Sequence, residues 1–484
     1  MNDIEKEIEE AIKEMEEMIE DAGTSTKQDA GKESQDGQQS TKFTVHSPMG
    51  NVSVDMLEFE KARKRALKEV HPPEPSLVSQ MVHAYLGAEE QSDSKYYRPK
   101  LGALIKLHID KEFDDYELVK EFILERGAEM PAEYSNVNLG NSETRRFFQT
   151  GIRFYQNATE KFVLVASVDQ YDNDERIVIM TAVEGRGLEL LKRLEAGFYR
   201  DGALKNAFFD MEYNFIDRND MVDQLIAWDD EIKQQLDKDV IEFLKIMPIL
   251  RQKGLPNSRG IILSGPPGTG KTMMAKSLAA QANVTTILIS AEMISGKSQI
   301  KNAFKLGRKL APTLMIIEDI DTAGTVSRKF TDHPILGEYL QAMDGMESND
   351  GILILATTNH TENIDPAISD RPGRFDRIID VPLPNTRQRH TMIQNILAKM
   401  PSEEIGKSVI SSVAKKSEGL SGAWVREVVQ CALIEAIYEG KDKLCGKNLE
   451  TGLADVLKRR GMAYQPTPNL SDVIDSKNAE VYTV

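Results

Sequence analysis

Gly265-Pro266-Pro267-Gly268-Thr269-Gly270-Lys271-Thr272 has the spacing GxxxxGK[ST], set between an apolar run (GIILS) and a helical pattern (MMAKSLAAQA). In that setting the glycines let backbone N–H groups turn inward around the β- and γ-phosphates of a nucleotide, and the helix N-terminus adds its positive dipole end. Lys271 then reaches the β/γ oxygens, and the Thr272 hydroxyl sits on Mg²⁺. Further along, MIIEDID brings Glu318, Asp319 and Asp321 to the end of an apolar strand. GILILATTN ends another on Asn359, a polar group able to orient a water beside a γ-phosphate. Arg371, Arg374 and Arg377 crowd a turn in DRPGRFDR, and guanidinium groups suit the charge on a transferring phosphoryl group. Neighbouring side chains along a strand point to opposite faces, so Glu318 and Asp319 are expected to do different jobs. Glu318 directly follows the apolar run and takes the metal side, holding Mg²⁺ through water. Asp319 is then the water-polarising base, with Asp321 supporting the turn.

Elements with a definite rhythm must hold these groups. After residue 217, the apolar β runs GIILSG, TTILIS, TLMIIED, GILILATTN and IIDVPL alternate with helical patterns. That alternation predicts a five-stranded parallel sheet covered on both faces. It spans a large nucleotide-binding domain over 218–385, followed by an all-helical lid over 386–462 and a loose tail over 463–484. Upstream, KFVLVASV, RIVIMTAV and FFDMEYNFI read as strands and LELLKRLEAGFY as a helix, a small α/β module at about 155–217. The rest of the 43–217 region is irregular, with helical signals at 55–70 and 114–126. Residues 1–42 comprise an acidic stretch and a disordered linker rich in Gly, Ser, Thr and Gln. In the acidic stretch Ile4, Ile8, Ala11, Met15 and Met18 keep heptad spacing, either a solvated partly helical tail or a short coiled-coil partner.

Bulk properties narrow the function classes. The 484 residues suffice for about three domains. Acids outnumber bases, 77 to 60, for a net charge of −17. Such a surface repels phosphate backbones, and no Lys/Arg-rich run offsets it, so nucleic acid is not the expected partner. Two cysteines without CxxC spacing fit a reducing compartment. No apolar run reaches membrane-spanning length and the first residues are acidic. The expectation is a soluble, cytoplasmic protein without membrane attachment. The seven histidines form no HExxH, which leaves no metalloprotease motif in this sequence.

GPPGTGKT, LAPTLMIIEDID, ATTN, IDPAISDRPGRFDR and GLSGAWVREVV together resemble the AAA ATPase module over roughly 220–460. The resemblance implies ATP and Mg²⁺ as ligands, a homo-oligomer of hexameric rings, and sites completed between subunits. It assigns Asn359 to the sensor position, Arg374 and Arg377 to fingers reaching a neighbour's site, and Gly422 and Ala423 to lid positions packed on the nucleotide. The family usually has Asp-Glu where this chain has Glu318-Asp319. The inverted order resembles one branch, the mitochondrial translocase that moves a folded Rieske protein, and implies an adjusted site rather than a dead one. Peptide-threading relatives carry an aromatic pore residue. Here the segment SAEMISGKSQIKNAF has no aromatic before Phe304, leaving Met293, Ile294 and, in a second loop, Phe330. The leading expectation is a chaperone-like remodeller of protein complexes whose N-terminal region chooses an unknown protein client. The competing one is a nucleotide-gated scaffold with slow turnover.

Overall fold

The structure, a computed structural model, describes residues 42–47, 50–55, 76–169, 172–218, 227–290, 297–320, 350–359 and 375–463. The acidic stretch, most of the linker, the 55–70 helical signal past Asp55, and the tail beyond 463 lie outside the described residues, as do Met293, Ile294, Asp321, Phe330, Arg371 and Arg374. The chain divides into two compact units, residues 1–76 and 77–484. In the first, β1 (Lys42–Ser47) and β2 (Gly50–Asp55) pair antiparallel.

The second unit begins with α1 (Leu77–Leu86), β3 (Gln91–Tyr97), α2 (Pro99–Glu112), β4 (Glu117–Glu125), β5 (Ala128–Met130) and β6 (Glu133–Asn138). It continues with β7 (Thr144–Gln156), β8 (Lys161–Val168), β9 (Glu175–Thr181) and α3 (Arg186–Asp201). The strands form an antiparallel sheet in the order β3-β9-β8-β7-β4-β5, with β6 also on β7. Alternation in KFVLVASV sorts its side chains. Phe162, Leu164 and Ala166 join Ile105 of α2, Phe113 just past its end, and Leu191 and Phe198 of α3 in one core. Val163 turns the other way, against Val82 of α1 and Phe154. The small module expected at about 155–217 is therefore the second half of a sheet that begins at Gln91. The helix expected at 114–126 is instead strand β4. Its apolar spacing suits either element, and pairing along β7 (Leu118 with Tyr155, Phe122 with Ile152) decides the outcome.

The segment FFDMEYNFI corrects a second expectation. Its strand, β10 (Phe208–Asp210), does not join the antiparallel sheet; it pairs parallel with β12 (Thr285–Ser290) in the nucleotide-binding sheet. Around it come β11 (Arg259–Ser264), β13 (Thr313–Glu318), β14 (Ile352–Thr358) and β15 (Phe375–Asp380). The order is β10-β12-β13-β14-β11-β15, so the five expected parallel strands are present and β10 adds a sixth at one edge. Lys205 Nζ donates to the carbonyls of Leu310 and Ala311, both at 2.8 Å. Arg218 donates to the Ala279, Ala282 and Val284 carbonyls around the end of helix α6 (Lys271–Gln281). A guanidinium there satisfies acceptors that a helix leaves open.

Both faces of the parallel sheet are covered. On one lie α4 (Asp230–Leu236), a π-helical turn (Asp237–Glu242), α5 (Phe243–Gln252) and α6, with Val240, Leu244, Met274 and Leu278 in the core. On the other lies α7 (Lys297–Lys309), whose Ile300, Ala303 and Phe304 are buried with Ile287 and Met315. Phe304 is 1 % exposed, a core residue unable to line a pore. The lid is α8 (Thr386–Lys399), α9 (Lys407–Lys416), α10 (Gly422–Tyr438) and α11 (Gly446–Ala463), closed around its own core of Ile393, Val413, Val429 and Leu449. Asn385 and Gln388 cap α8 reciprocally, fixing where the lid starts.

Candidate active site

Strand β11 ends at Ser264 and the chain turns through Gly265–Gly270 before α6 begins at Lys271. Gly265 (φ +146°), Gly268 (φ +76°) and Gly270 (φ +95°) are in backbone conformations that side chains disfavour. Space matters as much as torsion. A Cβ on Gly265 would lie 2.3 Å from the Val381 carbonyl oxygen, and one on Gly268 would lie 2.7 Å from Ser421 Oγ. The Thr269 hydroxyl closes the turn on the Pro266 carbonyl at 3.0 Å. Pro267 stands at its exposed crown. Buried Lys271 folds back over the loop, its Nζ donating to the carbonyls of Gly265 (2.8 Å) and Pro266 (2.9 Å) and to Asn359 Oδ1 (2.8 Å).

Asn359 follows β14 and connects two of the predicted groups. Its Oδ1 faces the Lys271 ammonium and its Nδ2 donates to Asp319 Oδ1 at 3.2 Å. Only this amide orientation serves both partners, since the ammonium cannot accept and the carboxylate cannot donate. Lys271, Asn359 and Asp319 thus meet at the C-terminal ends of the neighbouring strands β11, β14 and β13, the crevice where ligands of parallel α/β sheets bind.

The acidic pair departs from the strand geometry expected for it. Glu318 is the last residue of β13, in register with Ser290, and forms an ion pair with Lys276 of α6 at 2.8 Å. Asp319 lies past the strand with φ +49°, in the left-handed region. The two carboxylates are separated by that backbone turn, and strand alternation is not the reason.

The loop fits a phosphate-bearing ligand: three glycines leave the cradle open, and one buried ammonium and a helix N-terminus face it. Thr272 is half-buried at the first turn of α6. Beside the loop lies a pocket lined by Trp228, Ile232, Thr269, Met274, Met392 and Gly422. Trp228 Nε1 is buried there without a hydrogen-bond partner. The lid closes the other side: the Ala423 amide donates to the Gly268 carbonyl at 3.1 Å, and Gly422 lies against Met392 and that same carbonyl. Gly422 and Ala423 thus lie beside the loop.

A family model described as "ATPase family associated with various cellular activities (AAA)" matches residues 261–383, which hold the loop, the acidic pair, Asn359 and the arginines. Residues 261–383 therefore carry an AAA ATPase domain. Among its relatives, the ATP-dependent zinc metalloprotease FTSH 11 of Arabidopsis thaliana is 35 % identical over 230 residues, covering 46 % of this chain and 28 % of that protein. A proteasome-activating nucleotidase of Saccharolobus islandicus is 35 % identical over 240 residues, covering 46 % of this chain and 60 % of that one. The chain thus spans less than two thirds of the length of either relative. A crystal structure of the FIGL-1 AAA domain in complex with ADP aligns with a TM-score of 0.42 at 22 % identity, over 53 % of this chain and 88 % of that one.

Within this AAA domain, Arg377 lies back along the sheet from the 265–272 loop. It pairs in register with Ile261, back along the sheet from Ser264, on an edge strand. Its guanidinium forms an ion pair at 3.0 Å with Asp239, a buried residue of the π-helical turn that also receives Arg259 at 3.3 Å. Burial pushes the neighbouring Asp376 carboxyl above its ordinary range. Sequence reading missed Trp228, Ile232, Met392 and Asp239. Of these, Trp228 alone left a signal, as one of two tryptophans, directly before the helix cap Asp229.

Gly268→Ala tests the closeness of loop and lid. Forcing a Cβ into a left-handed turn costs roughly 1–2 kcal/mol, and here it also strikes Ser421 and Ala423. Calorimetry should find ATP affinity reduced about tenfold, the equivalent of ~1.4 kcal/mol.

Proposed function

We propose that this AAA ATPase binds MgATP at the 265–272 loop, hydrolyses it, and assembles into rings, hexameric by the family pattern, that remodel protein complexes. The observation that carries the hydrolytic reading is the Lys271–Asn359–Asp319 chain, which joins a phosphate-binding ammonium to a carboxylate through one amide. Lys271 and the loop amides would hold the phosphates; Thr272, with Glu318 through water, would hold Mg²⁺. When bound, the metal neutralises phosphate charge. Asp319 accepts the proton of the attacking water as general base, and Asn359 keeps its carboxylate turned toward the loop. Glu318, already paired with Lys276, serves the metal side, where outer-shell carboxylates tolerate a change of length.

The ring reading is supported by Arg377, which lies on the exposed edge strand about 10 Å back from its own loop. An arginine so placed serves a neighbour's site better than its own. Arg374, outside the described residues, is assigned the same role by the motif. The client is a protein, chosen by the residues before 218, and the setting proposed is the cytoplasm. Among the described residues no helix is long and apolar enough to cross a membrane.

Arg374→Ala and Arg377→Ala should each leave ATP binding within about twofold and reduce turnover at least about a thousandfold, the lower end of what finger removal costs. Mixing either variant with Lys271→Ala subunits should restore part of the activity, because an intact site then borrows a neighbour's fingers. Absence of rescue at every ratio, in preparations proven to co-assemble, contradicts action between subunits. Specific activity that stays flat across protein concentration, with slow turnover, would favour the nucleotide-gated scaffold.

A further inference from the structure

The ladder between β13 and β14 ends at the pair Ile317–Ala356. Beyond it, the side chain of Thr357 takes over from strand pairing. Its Oγ1 accepts the Asp319 N–H at 3.0 Å, while its carbonyl accepts the Ile320 N–H at 2.9 Å. Thr357 is 0 % exposed, and Asp319, the residue it holds, has φ +49°.

An aspartate carboxyl stands about 1.5 Å closer to its own backbone than a glutamate carboxyl would. Where its oxygens fall therefore depends mainly on the position of its Cα and the torsion of its backbone. Asp319 meets Asn359 at 3.2 Å from the left-handed turn, the turn that Thr357 closes.

We propose that Thr357 is a positioning residue for hydrolysis: its hydroxyl holds Asp319 in the left-handed turn, which lets the shorter acid of the inverted pair act as base. The inference rests on the reading of Asp319 as that base. Thr357 touches neither phosphate nor water in this scheme. It acts only through Asp319.

The test uses the full chain and MgATP, with Thr357→Val, Thr357→Ala and Thr357→Ser made alone and in an Asp319→Asn background. Val keeps the shape and removes the acceptor; Ala removes the same hydroxyl if the Val chain does not fold; Ser restores it. Loss of the hydroxyl should lower kcat about tenfold to a hundredfold, the cost of small misplacement of a catalytic group, with KM within about twofold. Ser should recover most of kcat, and in the Asp319→Asn background none of the three should lower the rate further. Parent kcat in both Val and Ala, an equal further loss in the Asp319→Asn background, or a Ser chain as impaired as Ala overturns the inference and leaves Thr357 a packing residue. Asp319→Asn hydrolysing at the parent rate overturns the base reading and this inference with it. An inactive Asp319→Asn beside a fully active Thr357→Val overturns this inference alone.

Discussion

Asp319→Asn binds MgATP with the affinity of the parent chain and releases phosphate at least about a hundredfold more slowly, the lower range of what general-base removal costs. The substitution is close to isosteric, so the left-handed turn and the Thr357 contact persist. What changes is proton affinity: an amide cannot take a proton from water at neutral pH. One oxygen remains to accept from Asn359 Nδ2, which leaves the link to Lys271 in place. Binding and chemistry therefore separate, and ATP-loaded assemblies should accumulate. Quench-flow with labelled ATP measures both quantities on one sample. Parent-rate hydrolysis would remove Asp319 from the base role and direct attention to Asp321.

Lys271→Ala loses measurable nucleotide binding. Hydrogen bonds to a charged group contribute about 1.5–3 kcal/mol each, and the ammonium is placed to give more than one to the phosphates. Its loss should weaken affinity by over a hundredfold, taking ~3 kcal/mol as the total. The loop loses its own support as well, because Gly265, Pro266 and Asn359 share this one donor. A modest fall in thermal midpoint should accompany the lost affinity. Calorimetric binding close to the parent value would sink the assignment of the loop.

The parts legible in the sequence were those whose chemistry is local. Gly265 to Thr272 are contiguous, and a strand before and a helix after leave little choice of geometry. Asn359 and the acidic pair were found because each closes an apolar run, and parallel strands deliver such ends to one crevice. Gly422 and Ala423 came from the family resemblance, and they do meet the loop carbonyl. What escaped depends on partners distant in sequence. Strand β4 has spacing that a helix could share until β7 pairs with it. β10 looked like part of its sequence neighbours, yet the edge of β12 captures it. The turn at Asp319 was invisible, since an aspartate after an apolar run reads as one more strand residue. Only the Thr357 hydroxyl, on another strand, reveals that the strand stops. Asp239 escaped in the same way, being defined by Arg259 and Arg377 rather than by anything beside it.

The inverted acids are the central claim: Glu318-Asp319 makes a working site, with the shorter acid as the base. Steady-state phosphate release from MgATP by the purified full chain, measured over a range of protein concentrations beside Asp319→Asn, addresses it most directly. The account predicts turnover well above the Asp319→Asn chain, with specific activity rising as subunits assemble. Phosphate release by the parent chain no faster than by Asp319→Asn, in assembled protein that binds MgATP, would contradict it.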